Sequence, residues 1–301
     1  MPTTDRTPAH SQPAVPARSG RAPLARSERV AMTISDGLDA LVRAAGSTGE
    51  LLASMGDNDR ALPVPGLAWT VAETAAHLVA LLRQSAAFAS GARDGAAERA
   101  ALRQPGAAAR MALGNARDLE RFDERRIPVL RPLLASAVDE YATAINGRRD
   151  GGLIETLLGQ ETPEAMTAAL VGEQLVHGFD LARAVGRRWS IDPSAARLML
   201  AGTAPLLAHF VDDEAIRHVS ARIEVRIVRG ARFTLVLERG RAAVEPGGGR
   251  CDCWIRAQPV PWLLTGFGRV NRWLPLLRGQ ILAGGRRPWI AARLPSYLTS
   301  I

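Results

Sequence analysis

The sequence predicts two folded parts, an all-helical domain followed by a small α+β domain. Up to about residue 210, apolar residues recur at steps of three and four, which is the spacing of one face of a helix. From Arg222 to Val228, polar and apolar residues instead alternate, as they do in a half-buried strand. We therefore divide the chain into a disordered tail (1–31), a helical domain (32–215) and an α+β domain (216–301).

Composition bounds the class of protein. Hydrophobic residues make up 47% of the 301 residues, which is enough for a buried core. No apolar run approaches the roughly 18 residues that a membrane span requires, so we expect no membrane partner. The two cysteines, Cys251 and Cys253, are too close in sequence to bridge each other readily. We therefore expect a reduced, cytoplasmic protein.

The charge is carried by arginine alone. The net charge is +8, and the chain contains no lysine. Schiff-base chemistry, a Walker-type lysine and a lysine general base are therefore excluded. The arginines are scattered, and no helix-turn-helix or zinc-finger spacing is present, which argues against nucleic acid as a partner.

The first 31 residues are rich in proline, alanine, serine and arginine. They contain too little apolar surface to order themselves, so we expect disorder. A true start at Met32 explains this segment equally well. His10 lies within it and is assigned no role.

The remaining helices and strands are predicted from the periodicity of apolar residues and from the positions of glycine and proline. We expect segment 92–110 to be a flexible excursion. Pro128 and Pro132 should kink the third helix or divide it in two. The predicted helices are 35–55, one opened by Thr70, 111–146, 162–186 and 193–210, and the predicted strands lie near 222–228, 233–237, 242–244, 253–255 and 280–282, with short helices near 261–267 and 289–298.

The helix predicted at 162–186 organises the first domain. Thr162 is a suitable N-cap, Pro163 suits the first helical position, and Gly186 suits the C-terminal end. Glu173 and His177 stand one turn apart on a stripe that is otherwise apolar. Burial of an unpaired carboxylate beside an imidazole is costly, and a metal ion would offset that cost. A simple Glu–His ion pair on a half-exposed helix is the alternative.

His77 is a second histidine on an apolar helix face. It follows Thr70 and Glu73, which have the spacing of a capping box. Capping accounts for Glu73, so we do not count it as a metal ligand.

Three stretches together resemble a known family. They are PGLAWTVAETAAHL at 65–78, GEQLVHGFDLARAVG at 172–186 and LLTGFGRVNRWLPLLRGQILAGG at 263–285. The first two resemble the mycothiol-dependent maleylpyruvate isomerase family, which belongs to the DinB-like metal-binding four-helix bundles. The third resembles the SCP2-like α+β module that accompanies the bundle in many members. The expected fold is therefore a DinB-like four-helix bundle followed by an SCP2-like α+β domain.

The resemblance implies a metal site and a cofactor. The family's ligand positions are occupied here by His77, Glu173 and His177, and the expected metal is divalent, most often Zn²⁺. Asp180 matches a position from which a carboxylate can orient a ligand imidazole, although an ion pair with Arg183 or Arg187 is an equal alternative.

The resemblance also implies substrates. It implies mycothiol as thiol cosubstrate and a small electrophile as substrate, in a cis/trans isomerase or a thiol S-transferase. An arginine of the second domain would bind a substrate carboxylate, with Arg269, Arg272 and Arg278 as candidates by region. A lipid-binding module with a structural metal and a metal-dependent hydrolase remain alternatives. A monomer or a homodimer fits equally.

Overall fold

In the computed structural model, which describes residues 32–104, 106–148 and 151–299, seven helices precede the sheet. The predicted tail, 1–31, lies outside the described residues. The elements of this first part are α1 (Ile34–Ala53), α2 (Val71–Ser90), α3 (Gly95–Leu102), α4 (Ala107–Arg121), α5 (Ile127–Asn146), a short hairpin of β1 (Ile154–Glu155) and β2 (Gln160–Glu161), α6 (Pro163–Ala184) and α7 (Pro193–Thr203).

Four of these helices form a bundle. Helices α1 and α2 each pack against both α5 and α6, so the four enclose one apolar core. Helix α4 covers α2 from outside, and α7 covers α6. At the centre of the core, the hydroxyl groups of Tyr141 and Thr167 lie 2.7 Å apart, which satisfies two buried polar groups.

The predicted excursion at 92–110 is wrong for most of its length. Asp94 caps α3 by accepting from the backbone N–H groups of Ala96 and Ala97. Arg99 then ties this helix to the hairpin, donating to the carbonyl oxygen of Thr156 at 2.6 Å. Because that partner is 57 residues away in the chain, no local pattern could indicate it.

The predicted third helix is divided in two, as its prolines suggested. The break lies at 122–126, and Pro128 stands in the first turn of α5, where the missing N–H is tolerated. Pro132 lies inside α5 without ending it.

The second part is a five-stranded sheet with short helices. Strand order is β5-β4-β3-β6-β7, with β3 and β6 parallel and the other neighbours antiparallel. These elements are β3 (Ser220–Ile227), β4 (Arg232–Glu238), β5 (Arg241–Pro246), β6 (Cys253–Ala257), α8 (Pro259–Gly266), α9 (Trp273–Leu277), β7 (Ile281–Gly285) and α10 (Trp289–Arg293).

The two parts are joined through α8. Its residues Leu263 and Leu264 are buried in the core of the bundle rather than in the core of the sheet. Helix α8 packs on α7, and the loop after it returns towards α6. The chain is thus a helical bundle followed by a small α+β part, while the boundary at 215 stays a prediction.

Two predictions from composition concern membrane association and the state of the cysteines. Among the described residues, no helix combines the length and the apolar character that a bilayer span requires. Cys251 and Cys253 are both free.

Close packing around Gly178 makes it sensitive to substitution. A Cβ there would lie 2.3 Å from the ring of Trp189. We expect Gly178→Ala to lower the free energy of unfolding by about 1–3 kcal/mol through overpacking. Gly46→Ala is the matched control, because that helical glycine has open space and alanine should stabilise α1 by about 0.5–1 kcal/mol. Urea denaturation measures both, and equal effects of the two substitutions would contradict the packing argument.

Candidate metal centre

His77 is placed by the capped start of α2. The backbone N–H of Thr70 donates to Glu73 Oε2 at 2.8 Å, and the N–H of Glu73 donates to Thr70 Oγ1 at 3.3 Å. This reciprocal pair is the predicted capping box, and the hydrogen bonds from Thr70 lower the pKa of Glu73. One turn further on, His77 faces the bundle interior and is 2% exposed.

Glu173 and His177 are placed by α6. Thr162 caps this helix by accepting from the N–H of Ala165 at 3.1 Å, and Pro163 occupies the first position. Ten residues later, Glu173 and His177 stand on the face that meets α2. His177 is buried, whereas Glu173 keeps a quarter of its side chain exposed.

The three side chains converge on one point. Glu173 Oε2 lies 3.4 Å from His77 Nε2 and 3.1 Å from His177 Nε2. All three potential ligand atoms lie within 4.8 Å of one another. Two histidines and one carboxylate, supplied by facing helices, therefore meet in the bundle core.

Asp180 contacts the second ring nitrogen of the His177 imidazole. Its Oδ2 atom lies 3.2 Å from His177 Nδ1. A proton on Nδ1 is donated to this carboxylate, and Nε2 then faces Glu173 and the shared point, as a donor when the ring is protonated and as a metal ligand when it is neutral. Arg183 and Arg187, the alternative partners, lie elsewhere: Arg183 stacks over Phe179, and Arg187 donates to a backbone carbonyl.

Arg269, from the second part of the protein, forms an ion pair with Asp180. Its Nε atom donates to both oxygens of Asp180, at 2.9 and 3.1 Å, and Nη2 donates to Oδ2 at 2.8 Å. The Asp180 side chain is fully buried, and the Arg269 side chain is 10% exposed. Arg272 and Arg278 are exposed at the two ends of α9, and no described contact joins them to the site.

The charges of the cluster are unbalanced when the imidazoles are neutral. Glu173 and Asp180 carry two negative charges against the one positive charge of Arg269. Burial favours the neutral form of Glu173, but hydrogen bonds from His177 and His77 outweigh it and lower the pKa of this carboxyl. Burial lowers the pKa of His77. For His177, Asp180 and Glu173 outweigh burial and raise the pKa to about 9. The site therefore attracts a cation, either a proton or a metal ion.

These residues fit a zinc ion. Tetrahedral zinc with bonds of about 2.0–2.1 Å separates neighbouring ligand atoms by about 3.4 Å, close to the two distances at Glu173. Two imidazoles and one carboxylate form a ligand set typical of catalytic zinc, with a fourth position left open. Trp69 packs on this site, with its ring centroid 4.7 Å from that of His77.

Sequence reasoning missed other polar residues near the site. Gln84, Glu161 and Thr156 line a cavity that also contains Glu173 in its wall. Glu161 directly precedes the N-cap Thr162, and no local pattern in the sequence marks it as a functional residue. His209, on the 3-10 helix Ala204–Phe210, is exposed and lies outside the cluster.

Comparisons with known proteins agree with this arrangement. Residues 41–182 match the model of the mycothiol maleylpyruvate isomerase N-terminal domain, and this segment includes all three converging residues. No curated protein matches the chain.

Two solved structures resemble most of the chain. The crystal structure of a histidine-to-alanine mutant of the mycothiol-dependent maleylpyruvate isomerase superposes with a TM-score of 0.50 at 12% identity, covering 84% of this chain and 93% of that one. The isomerase without that mutation gives 0.49 at 13% identity, over 79% and 90%. At such identities the first likeness establishes the fold alone. Residues 41–182 are therefore similar to the mycothiol maleylpyruvate isomerase N-terminal domain, and the chain shares the fold of the isomerase structure.

Proposed function

We propose that this protein is a metal-dependent enzyme that activates a low-molecular-weight thiol, mycothiol, for addition to or transfer onto a small electrophile. The convergence of His77, Glu173 and His177 on one point carries this proposal. The family match supports the thiol, and the donor set supports zinc. Cis/trans isomerisation and thiol S-transfer are the two reactions that this chemistry fits.

The residues of the chain have separable tasks in this proposal. His77, Glu173 and His177 would hold the metal through Nε2, a carboxylate oxygen and Nε2. A bound zinc ion would supply a lowered thiol pKa, so that thiolate is available at neutral pH. Asp180 holds the ring of His177, and Arg269 holds Asp180. Trp69 keeps water from one face of the imidazole of His77.

Removal of one ligand histidine tests the proposal. In His77→Ala, we expect the rate of mycothiol consumption with a panel of electrophiles to fall at least about 100-fold, because a metal with two protein ligands is bound weakly and placed poorly. The measurement is loss of free thiol over time with zinc-reconstituted protein.

The matched control is His209→Ala, which removes an exposed histidine outside the cluster. A wild-type rate of thiol consumption in His77→Ala would overturn the proposal. Ester hydrolysis without thiol would support the hydrolase alternative instead. Co-purifying lipid, together with no thiol consumption in the wild type, would support the lipid-binding alternative.

A further inference from the structure

A small cavity lies beside the candidate metal centre. It lies between α2, α4, α6 and the β1–β2 hairpin, and Glu173 is part of its wall. Its volume is about 70 Å³. A cavity of roughly 150 Å³ holds benzene, so this one suits a group of a few heavy atoms. Most of the wall is apolar, including Leu81, Phe88 and Met166.

A second carboxyl group faces this cavity. Glu161 is 5% exposed, and its hydrogen-bond partner is Thr156 Oγ1 at 2.6 Å. Within the described part of the chain, no arginine or histidine forms an ion pair with Glu161. An isolated buried carboxylate is costly, and burial raises the pKa of Glu161.

The hydrogen bonds around Thr156 agree with a neutral Glu161. The Thr156 hydroxyl accepts from the N–H of Leu158 at 3.1 Å, and it lies 3.1 Å from the carbonyl oxygen of Gly159. A hydroxyl has one hydrogen. The contacts to Glu161 and Gly159 compete for that one hydrogen, so the Glu161 carboxyl receives at most one hydrogen bond from Thr156.

Among the residues that the structure describes, no positive side chain lines the cavity. Arginines in or beside the neighbouring helices bind to the hairpin and to other carboxylates. Arg99 donates to the carbonyl oxygen of Thr156, Arg110 donates to that of Leu157, and Arg93 pairs with Asp118. A cavity whose described wall contains Glu161, Glu173 and no cation disfavours a carboxylate ligand, because a buried charge there would have no partner.

We propose that this cavity binds the uncharged, hydrogen-bonding end of the electrophilic substrate, such as an amide or ketone carbonyl, and that Glu161 is the residue that hydrogen-bonds to it. This inference rests on the proposed function only in calling the ligand a substrate, because its binding can be measured without thiol. Because Glu173 shares the cavity wall, a group held there lies beside the metal ligands. Arg269, Arg272 and Arg278 do not line the cavity, so a carboxylate at the other end of the substrate is a separate question.

A matched pair of small ligands tests the binding. Propionamide and propionate have the same number of heavy atoms and differ in charge. With metal-free protein, in which propionate cannot coordinate zinc directly, ligand-observed NMR should detect propionamide binding and at least about tenfold weaker binding of propionate. Glu161→Leu should weaken propionamide binding about tenfold, and Glu161→Gln, which retains a neutral hydrogen-bonding group, should restore most of it. Melting curves of both variants establish that they are folded.

Acrylamide and acrylate extend the test to turnover, with each rate divided by the uncatalysed rate of the same electrophile with the same thiol. We expect acrylamide to be preferred, and KM rather than kcat to rise in Glu161→Leu. Equal or tighter binding of propionate, or unchanged propionamide binding in Glu161→Leu, would overturn the inference. The wild-type ligand pair decides the question even if the leucine variant fails to fold. Propionamide binding as expected, with no thiol consumption for any electrophile, would leave the inference standing and overturn the proposed function.

Discussion

Glu173→Ala is expected to abolish stoichiometric metal binding. The wild type, purified without added metal and then reconstituted, should contain about one zinc ion per chain, and the variant close to none. Glu173 Oε2 contacts the Nε2 atoms of both His177 and His77, at 3.1 and 3.4 Å. Its loss also removes the negative charge that attracts a cation. Plasma mass spectrometry after dialysis measures the metal content.

The control for this experiment lies on the same helix. Glu164→Ala removes one carboxylate from the first turn of α6, away from the cluster, and should leave the metal content unchanged. If the wild type takes up no metal after reconstitution, the three residues are a buried ion-pair cluster and the proposed chemistry is lost.

Breaking the pair of Asp180 and Arg269 should have the largest effect on stability. Either Asp180→Asn or Arg269→Met leaves a buried charge without its partner, which we expect to lower the free energy of unfolding by about 3–5 kcal/mol. The double substitution should recover a large part of this loss, because neither charge then remains alone. Urea denaturation gives the stabilities, and metal analysis of the folded variants shows whether His177 still binds.

An exposed ion pair gives the comparison. Arg286 is two-thirds exposed and lies 3.2 Å from Asp252, so Arg286→Met should change the free energy of unfolding by less than about 1 kcal/mol. Similar losses for Arg286→Met and Arg269→Met would contradict the role of burial. Additive losses in the double substitution would contradict direct coupling between Asp180 and Arg269.

Local signals in the sequence predicted much of the fold. Thr162 and Pro163 gave the start of α6 to the residue, and Thr70 with Glu73 gave the start of α2. Such capping residues act on backbone groups within three positions, so they can be recognised without knowledge of the tertiary structure. Helix α3 was missed because its apolar stripe is weak and Arg99, which fastens it, depends on a distant partner.

The site was predicted in pieces that the sequence could not connect. Asp180 and Arg269 were both identified, the first as a partner of His177 and the second as a candidate for substrate carboxylate. Their direct contact spans 89 residues, and no spacing rule reaches that far. Glu161 was overlooked because a carboxyl before a helix N-cap is ordinary in sequence, and only the tertiary structure places it on a cavity.

During synthesis the ribosome releases the helical bundle well before it reaches Arg269. A nascent chain that ends after α7 already contains Asp180 and all the bundle helices, yet it lacks the guanidinium that neutralises this carboxylate. N-terminal domains generally begin to fold as they emerge. Until Arg269 has been synthesised, the Asp180 carboxylate must therefore stay hydrated or pair with a protonated His177. Arg269, in the last third of the chain, would then complete the contacts around the candidate metal centre.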